Sequence, residues 1–472
     1  MLTQKERYKI INGDSLVELD KLEDNSIDAC ITDPPYELGF MGKKWDATGI
    51  AYNVELWKKV WRVLKPGAYL LAFGGTRTYH RICCAIEDAG FEIRDCIMWL
   101  YGSGFPKSMN IGLAVDKRNG VESEVVGINK SVQDLKEVGK ITGHKMTFGQ
   151  EGTENCARKD VPILKAKNEW NGWGTCLKPA YEPIIVARKP VEESVINNVL
   201  KYGVGGINID ECKVGNETVS IHNAPKGTFA GGDYNRGSDT ESYRDSTGRF
   251  PANVILTYDE SDYDEVCGNM PDSKGSQGQA FSKDDYEERE TATSFTRGDF
   301  IPYNDDGSAC RYFYCAKASK KDRDNGLIWF DSKTTGELQG GRKEGSAGSI
   351  MKNADGTTRV NPYAGTGAPK KNIHPTVKPV DLMQYLVRLV SPKGSVILDI
   401  FNGSGSTGKA VAFENREREA DYKYIGIELD PEYCKISESR IDYAVNQYVY
   451  DVQEEIQENA KKGQLSLFDF ES

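Results

Sequence analysis

Four consecutive residues, Asp33-Pro34-Pro35-Tyr36, place a carboxylate, two prolines and an aromatic ring directly after an apolar stretch, Ile27 to Thr32. Two adjacent prolines cannot extend a ladder, so a strand must stop and turn here. In an open α/β sheet the carboxyl end of a strand is where ligands bind. The loop would offer an acceptor carboxylate, a backbone carbonyl with no neighbouring N–H, and an aromatic face. That set suits an exocyclic amino group on a flat heterocycle. Such a nitrogen is a poor nucleophile, because its lone pair is delocalised into the ring. Acceptors on its two hydrogens, Asp33 and the Pro34 carbonyl, would draw it towards pyramidal geometry, with Tyr36 stacked on the ring. The competing account is a tight turn with a surface tyrosine.

A second candidate is the run Val396-Ile397-Leu398-Asp399-Ile400-Phe401-Asn402-Gly403-Ser404-Gly405-Ser406-Thr407-Gly408-Lys409, which reads as strand, tight turn, helix. Its glycines allow positive φ and close approach of a ligand, and the following helix offers free N–H groups. Three ligands fit. Gly403 to Lys409 nearly spells a phosphate loop, but Ala410 stands where Ser or Thr should hold magnesium. Gly403, Gly405 and Gly408 have dinucleotide spacing, with Glu428 at a later strand end to hold a ribose. Asp399 followed by Phe-x-Gly-x-Gly suits S-adenosylmethionine, whose cationic methionine needs a carboxylate-lined, phosphate-free pocket. The turn alone does not choose between the last two.

The flanking elements say what positions these loops. Residues 1–105 alternate strand and helix signals: strands at Tyr8 to Ile11, Ile27 to Ile31, Ala68 to Phe73 and Phe91 to Leu100, with helices at Asn53 to Leu64 and Tyr79 to Ala89. The block 380–445 repeats the pattern, with helices at Leu382 to Val390, Lys409 to Glu414 and Pro431 to Asp442 around strands at Val396 to Ile400 and Tyr424 to Glu428. Such alternation predicts a mostly parallel sheet covered on both faces. The middle, 106–373, is rich in Gly, Asn, Ser and charge, with strand-like islands at Pro183 to Val186, Phe250 to Thr257 and Tyr312 to Ala316.

The chain has 472 residues and a formal net charge of −11, which excludes a wholly basic coat or tail protein. Charge is segregated, however: residues 231–310 hold 7 basic and 18 acidic side chains, whereas 311–378 hold 13 basic and 6 acidic. The second stretch is the expected footprint of a polyanion, and Lys317, Lys320, Lys321 and Arg323 are its candidate contacts. No apolar run approaches the ~20 residues of a membrane span, and Met1 to Ile10 lacks the apolar core of a signal peptide. Eleven scattered cysteines without a C-x-x-C pair predict free thiols in a reducing cytoplasm, and four histidines argue against a His-built metal centre, so no metal is expected.

Taken together, these residues resemble the amino-group DNA methyltransferases that act on N6 of adenine or N4 of cytosine, in the permuted order that places Asp-Pro-Pro-Tyr first and Phe-x-Gly-x-Gly last. The likeness extends to Asn12-Gly13-Asp14-Ser15, Arg62-Val63-Leu64-Lys65-Pro66-Gly67, Lys178-Pro179-Ala180-Tyr181-Glu182-Pro183-Ile184, His374-Pro375-Thr376-Val377-Lys378-Pro379 and Gly426-Ile427-Glu428-Leu429-Asp430. Ile400 and Ser406 depart from the Pro and Thr found in many members. Islands such as Gly248 to Asn253 and Tyr314 to Lys317 are similar to solitary phage and bacterial members. The permutation can also be read from the chain. After Glu428 one helix and a tail remain, so Tyr8 to Ile11 must complete the sheet beside the Glu428 strand. The Gly403 and Asp33 loops then come to neighbouring strand ends. A dehydrogenase would need no Asp-Pro-Pro-Tyr loop there, which favours S-adenosylmethionine.

The resemblance implies a Rossmann-like, circularly permuted seven-stranded α/β core with large insertions. Its catalytic half would be 1–105, with an insertion at 106–178 and a core strand at 179–190. A target-recognition region at 191–373, a cofactor half at 374–445 and a helix and tail at 446–472 would follow. Asp33, Pro34, Pro35 and Tyr36 would be catalytic. Asp14, Thr376, Lys378, Asp399, Phe401, Gly403, Gly405, Glu428 and Asp430 would hold S-adenosylmethionine, Thr376 and Lys378 flanking its methionine end. The implied reaction is methylation of adenine N6 in duplex DNA after base flipping, with no covalent nucleophile. Asp rather than Ser at the head of the loop favours adenine. The alternatives are N4-cytosine methylation and a catalytically idle DNA-binding module. No nuclease signature is evident. Residues 443–462 read as a charged helix ended by Gly463. Gln464-Leu465-Ser466-Leu467-Phe468 then looks like the pentapeptide with which bacterial replication and repair proteins bind the sliding clamp. Leu465, Leu467, Phe468 and Phe470 packing back on the enzyme is the alternative.

Overall fold

A computed structural model describes residues 4–38, 46–101, 108–129, 161–223, 242–258, 270–273, 307–317, 322–333, 350–352, 358–360, 370–447 and 450. The chain divides into two compact units, Met1–Gly102 with Tyr181–Ser472, and Ser103–Ala180.

The larger unit is built on one nine-stranded sheet. In chain order its strands are β1 (Tyr8–Asn12), β2 (Ile27–Thr32), β3 (Leu64–Phe73), β4 (Glu92–Tyr101), β5 (Tyr181–Arg188), β6 (Val254–Tyr258), β7 (Tyr314–Lys317), β8 (Val396–Asp399) and β9 (Lys423–Glu428). Their order in space is β1-β9-β8-β2-β3-β5-β4-β6-β7. All neighbours run parallel except the two pairs made by β5, which is antiparallel to β3 and β4.

The permutation read from the sequence is present: Asn12 of β1 pairs with Glu428 of β9, and β8 lies beside β2. The seven expected strands are β1 to β5, β8 and β9. β6 and β7 extend the sheet past β4, so it runs on into the stretch assigned to target recognition. They arise from the islands at Phe250 to Thr257 and Tyr312 to Ala316. Ile255 and Ala316 bury fully in the main core, which is reason enough for both to join it.

Helices cover both faces, as a parallel sheet requires. On one side α1 (Val54–Val63) and α2 (Tyr79–Asp88) set Trp57, Val60 and Ile82 against Cys30 of β2 and Leu70 of β3. On the other, α4 (Val380–Val390), α5 (Ser406–Arg418) and α6 (Pro431–Val445) set Leu386, Val411 and Ile441 in the cluster that holds Ile31 and Leu71. A further helix, α3 (Val195–Tyr202), follows β5. Alternate residues of β2 thus feed opposite cores, and all six are buried.

The smaller unit holds a helix, Ile111–Asn119, and an antiparallel pair, Glu124–Asn129 with Val161–Lys165. Buried Asp116 ties them, accepting from Ser123 Oγ, Lys167 N–H and Asn168 Nδ2.

Among the described residues no helix is long and apolar enough to cross a membrane. The expectation of free thiols needs one correction. Cys30, Cys83, Cys84, Cys96, Cys176, Cys212, Cys315 and Cys434 are free, but Cys310 is disulfide-bonded. Scattered spacing carries no signal of which two thiols folding will bring together.

Candidate active site

The acceptor loop follows β2 as its prolines require. Thr32, the last residue of β2, donates from Oγ1 to Asp399 Oδ1 of β8 at 2.7 Å, so the two candidate loops are joined at their roots. Asp33 comes next. Its Oδ2 accepts from Lys378 Nζ at 2.6 Å, while Oδ1 is buried with no hydrogen-bond partner among the described residues. Burial pushes the Asp33 carboxyl above its ordinary range, with Lys378 opposing that rise.

The antiparallel sense of β5 brings a further group here. Glu182, near the start of β5, pairs with Trp99, so it lies at the carboxyl ends of the neighbouring parallel strands. Its Oε2 accepts from Tyr36 Oη at 2.5 Å, and its Oε1 from Tyr101 Oη at 3.4 Å. Lys378 Nζ stands 3.5 Å from Glu182 Oε2. The ammonium also lies 5.0 Å from the Phe73 ring centre and 5.3 Å from that of Tyr36. The pocket is therefore an aromatic box holding two carboxylates and one cation. Burial and the carboxylates beside it drive the Tyr36 phenol well above its usual range, so it is a fixed hydrogen donor.

The glycine turn is built differently. Asp399 is 3% exposed, and its oxygens accept from Thr32 Oγ1, Thr407 Oγ1 and Phe401 N–H. Burial lifts its carboxyl to about 6. It holds the turn from below. Gly403 and Gly405 have φ of +52° and +75°. A Cβ on Gly403 would come 2.8 Å from His374 Nε2, and one on Gly405 2.3 Å from Ser437 Oγ, so close approach as well as backbone shape demands glycine. Half-buried Phe401 packs on the core beneath the turn.

Glu428 ends β9 as expected and clamps the turn: Gly403 N–H donates to its Oε2 at 2.7 Å and Asp430 N–H to its Oε1 at 2.9 Å. Each oxygen keeps a lone pair for a further donor. Burial raises the Glu428 carboxyl. Asp430 caps α6 through Glu432 N–H, and exposed Asp14 caps Ser15–Glu18 through Leu16 N–H. Ser15 Oγ donates to Ile400 O at 2.5 Å, which draws the end of β1 onto the turn. Asp14, Phe401, Gly403, Glu428 and Asp430 thus converge at the ends of β1, β8 and β9.

Lys378 faces Asp33 and Glu182, on the acceptor side, while Thr376 beside it is exposed. Lys409, in the phosphate-loop spacing that Ala410 already argues against, is fully buried and donates to Asp322 Oδ1 at 2.5 Å. Burial and neighbouring Arg440 bring its ammonium down to about 8. Arg323 was expected on DNA, yet its guanidinium donates inward to the carbonyls of Asn372 and His374. Net positive charge in a segment does not say which cation a nearby carbonyl will take. Lys320, Lys321 and the clamp residues Gln464, Leu465, Leu467 and Phe468 lie outside the described residues, as does the Lys317 side chain.

Sequence reasoning also missed a strap behind the turn. Arg440 is fully buried, and its guanidinium donates to Ser404 O at 2.7 Å and to Asp322 O at 3.3 Å. Asp322 Oδ2 in turn accepts from Val380 N–H at the start of α4. Asp324 accepts from Asn372 N–H. The available signal was the alternation Lys321-Asp322-Arg323-Asp324, whose two acids are unusual in a basic stretch.

The sequence model of the family described as DNA methylase matches residues 27–439, so the chain belongs to the N6/N4 DNA methylase family. Among curated proteins it is similar to the Type II methyltransferase M.HindIII of Haemophilus influenzae, 23% identical over an alignment of 243 residues that covers 42% of this chain and 64% of that protein. It is also similar to the orphan methyltransferase M.BamHII of Bacillus amyloliquefaciens, 38% identical over 68 residues, covering 14% of this chain and 23% of that one. The chain thus spans less than two thirds of the length of these relatives. The crystal structure of M1.HpyAVI is 12% identical with a TM-score of 0.34, covering 92% of this chain and 98% of that one; at that score the likeness adds nothing to the assignment.

Proposed function

We propose that the protein is a site-specific DNA methyltransferase that moves a methyl group from S-adenosylmethionine to the exocyclic N6 of adenine in duplex DNA. The observation that carries this reading is the Thr32–Asp399 hydrogen bond, which joins an amine-accepting loop to a glycine turn at adjacent strand ends. The donor set at the turn fits the cofactor that family membership implies. Asp14, Glu428 and Asp430 make the rim acidic, whereas Lys409 and Arg440 are buried behind the turn. A pyrophosphate would meet carboxylates there; a cationic methionine and a ribose diol would not be repelled.

When bound, the cofactor supplies an electrophilic methyl on a sulfonium. The chain's own residues do the rest. Asp33 Oδ1 and the Pro34 carbonyl accept the two hydrogens of the target amine and localise its lone pair. Tyr36, held by Glu182, sets the wall on which the flipped base lies. Loss of one proton from the nitrogen completes the exchange. The basic stretch around Lys317, Lys320 and Lys321 would follow phosphates, within a recognition region drawn from 191–373. The clamp-like pentapeptide would bring the enzyme to newly copied DNA in a cytoplasm. The test is product analysis: DNA methylated in vitro, digested and resolved by mass spectrometry should contain N6-methyladenine. N4-methylcytosine instead would keep the mechanism and change the base; neither product would refute the reading.

A further inference from the structure

The acceptor pocket contains two charged groups that amine recognition by Asp33 does not itself require. Lys378 lies four residues beyond His374 in a segment whose resemblance puts it by the cofactor. Its ammonium instead touches Asp33 Oδ2 at 2.6 Å and stands 3.5 Å from Glu182 Oε2. The residue is 7% exposed. A cation withdrawn from water needs counter-charge, and the two carboxylates supply it. The rings of Phe73, Tyr36 and Trp99, with centroids 5.0, 5.3 and 6.0 Å away, enclose it further. Glu182 is fixed in turn by the hydroxyls of Tyr36 and Tyr101. Asp33 is thus held by one oxygen, and its other oxygen is enclosed with no partner among the described residues.

We propose that Lys378, steadied by Glu182, is a positioning residue for Asp33, locking Oδ2 so that Oδ1 is presented to the target amine. The inference rests on the methyltransferase reading above. Two carboxylates against one ammonium also leave the box with one net negative charge, the complement of a cationic methyl donor.

The arrangement has a pH signature. The charged and titratable groups around Asp33 are Lys378, Glu182, Tyr36 and, through Thr32, Asp399. Burial and Glu182 push the Asp33 carboxyl up; Lys378 pulls it down. Only the ionised carboxylate accepts on both oxygens. Removing the lysine therefore moves loss of the accepting form to higher pH, and removing the Glu182 charge moves it lower.

The assay uses the full chain, tritiated S-adenosylmethionine and genomic DNA free of methylated bases. Lys378→Met should lower methyl transfer at neutral pH about 100-fold and raise the acid limb of kcat/KM by about one pH unit. S-adenosylmethionine affinity, measured by calorimetry, should change by less than about threefold, well under the effect of losing a charged contact. Lys378→Arg should restore the acid limb but not kcat, because a planar fork cannot occupy the ammonium's place. Glu182→Gln should shift the limb downwards. An unmoved acid limb in Lys378→Met overturns the proposal, as does a loss confined to cofactor affinity with turnover at saturation intact. Should that variant not fold, an unmoved limb in Glu182→Gln relative to wild type overturns it equally. An inactive wild-type enzyme would instead sink the methyltransferase reading and is seen in the same experiment.

Discussion

The acceptor pocket and the glycine turn lie on adjacent strands but satisfy their polar atoms in opposite ways. At the turn, both oxygens of Asp399 and both of Glu428 already accept hydrogen bonds from the protein. In the pocket, Asp33 keeps one enclosed oxygen without a partner among the described residues. Folded interiors rarely leave such a group. The turn gives up its side chains to hold a backbone shape that a ligand can meet. The pocket keeps an acceptor in reserve for a donor that arrives with substrate.

The sharpest way to break this contrast is Asp33→Ala. Removing the reserved acceptor should reduce methyl transfer by about 10³-fold or more, with S-adenosylmethionine binding nearly unchanged; ordinary turnover would show that the acceptor lies elsewhere. Next comes Arg440→Met on the turn. It leaves the Ser404 carbonyl without its buried donor and Asp322 short of one cation. Urea denaturation should show a loss of about 3–5 kcal/mol together with weaker cofactor binding. A stable variant with a normal cofactor affinity would mean the strap does not shape the turn.

Glu428→Ala should be milder for stability and specific for ligand, weakening S-adenosylmethionine by about 10- to 100-fold, the worth of one or two charge-assisted hydrogen bonds. Unchanged affinity by calorimetry would move the ribose site. Neutralising Lys317, Lys320 and Lys321 together should lower the slope of log affinity for duplex DNA against log salt by about 2 to 3, since each phosphate contact releases counterions. An unchanged slope would place DNA on another face. The smallest effect concerns the tail. A peptide of residues 460–472 should bind a bacterial sliding clamp at about −8 kcal/mol, the micromolar range, and Leu467→Ala with Phe468→Ala should abolish it. Equal binding by the double variant removes the clamp from the account.

Much of this was legible in the chain because it depended on local chemistry. Two prolines after an apolar run must end a strand, and β2 stops at Thr32. Gly403 and Gly405 advertise left-handed backbone, and both adopt it. Even the pairing of β1 with β9 followed from counting the strands left after Glu428. What could not be read were side-chain partners chosen across long loops. Lys378 carries the same label in a motif whether it meets the cofactor or Asp33. Which it meets depends on the antiparallel entry of β5, which brings Glu182 to the same edge. Arg323 looked like a phosphate contact because charge density ignores the carbonyls of Asn372 and His374. β6 and β7 were seen as islands, but nothing in five apolar residues says which sheet edge they extend.

The union of the two ends of the chain has a kinetic consequence. Asn12 Nδ2 bonds Glu428 O across a separation of 416 residues, and Thr32 meets Asp399 across 367. Contacts this remote give a high contact order and slow folding. During synthesis β1 and the β8-facing edge of β2 must wait, with backbone donors and acceptors unpaired, until almost the whole chain has emerged. An exposed strand edge of that kind templates aggregation. The protein should therefore refold slowly and be most vulnerable just before its last two core strands are made, and fragments ending short of Glu428 should collect as insoluble material even when they contain the whole acceptor loop.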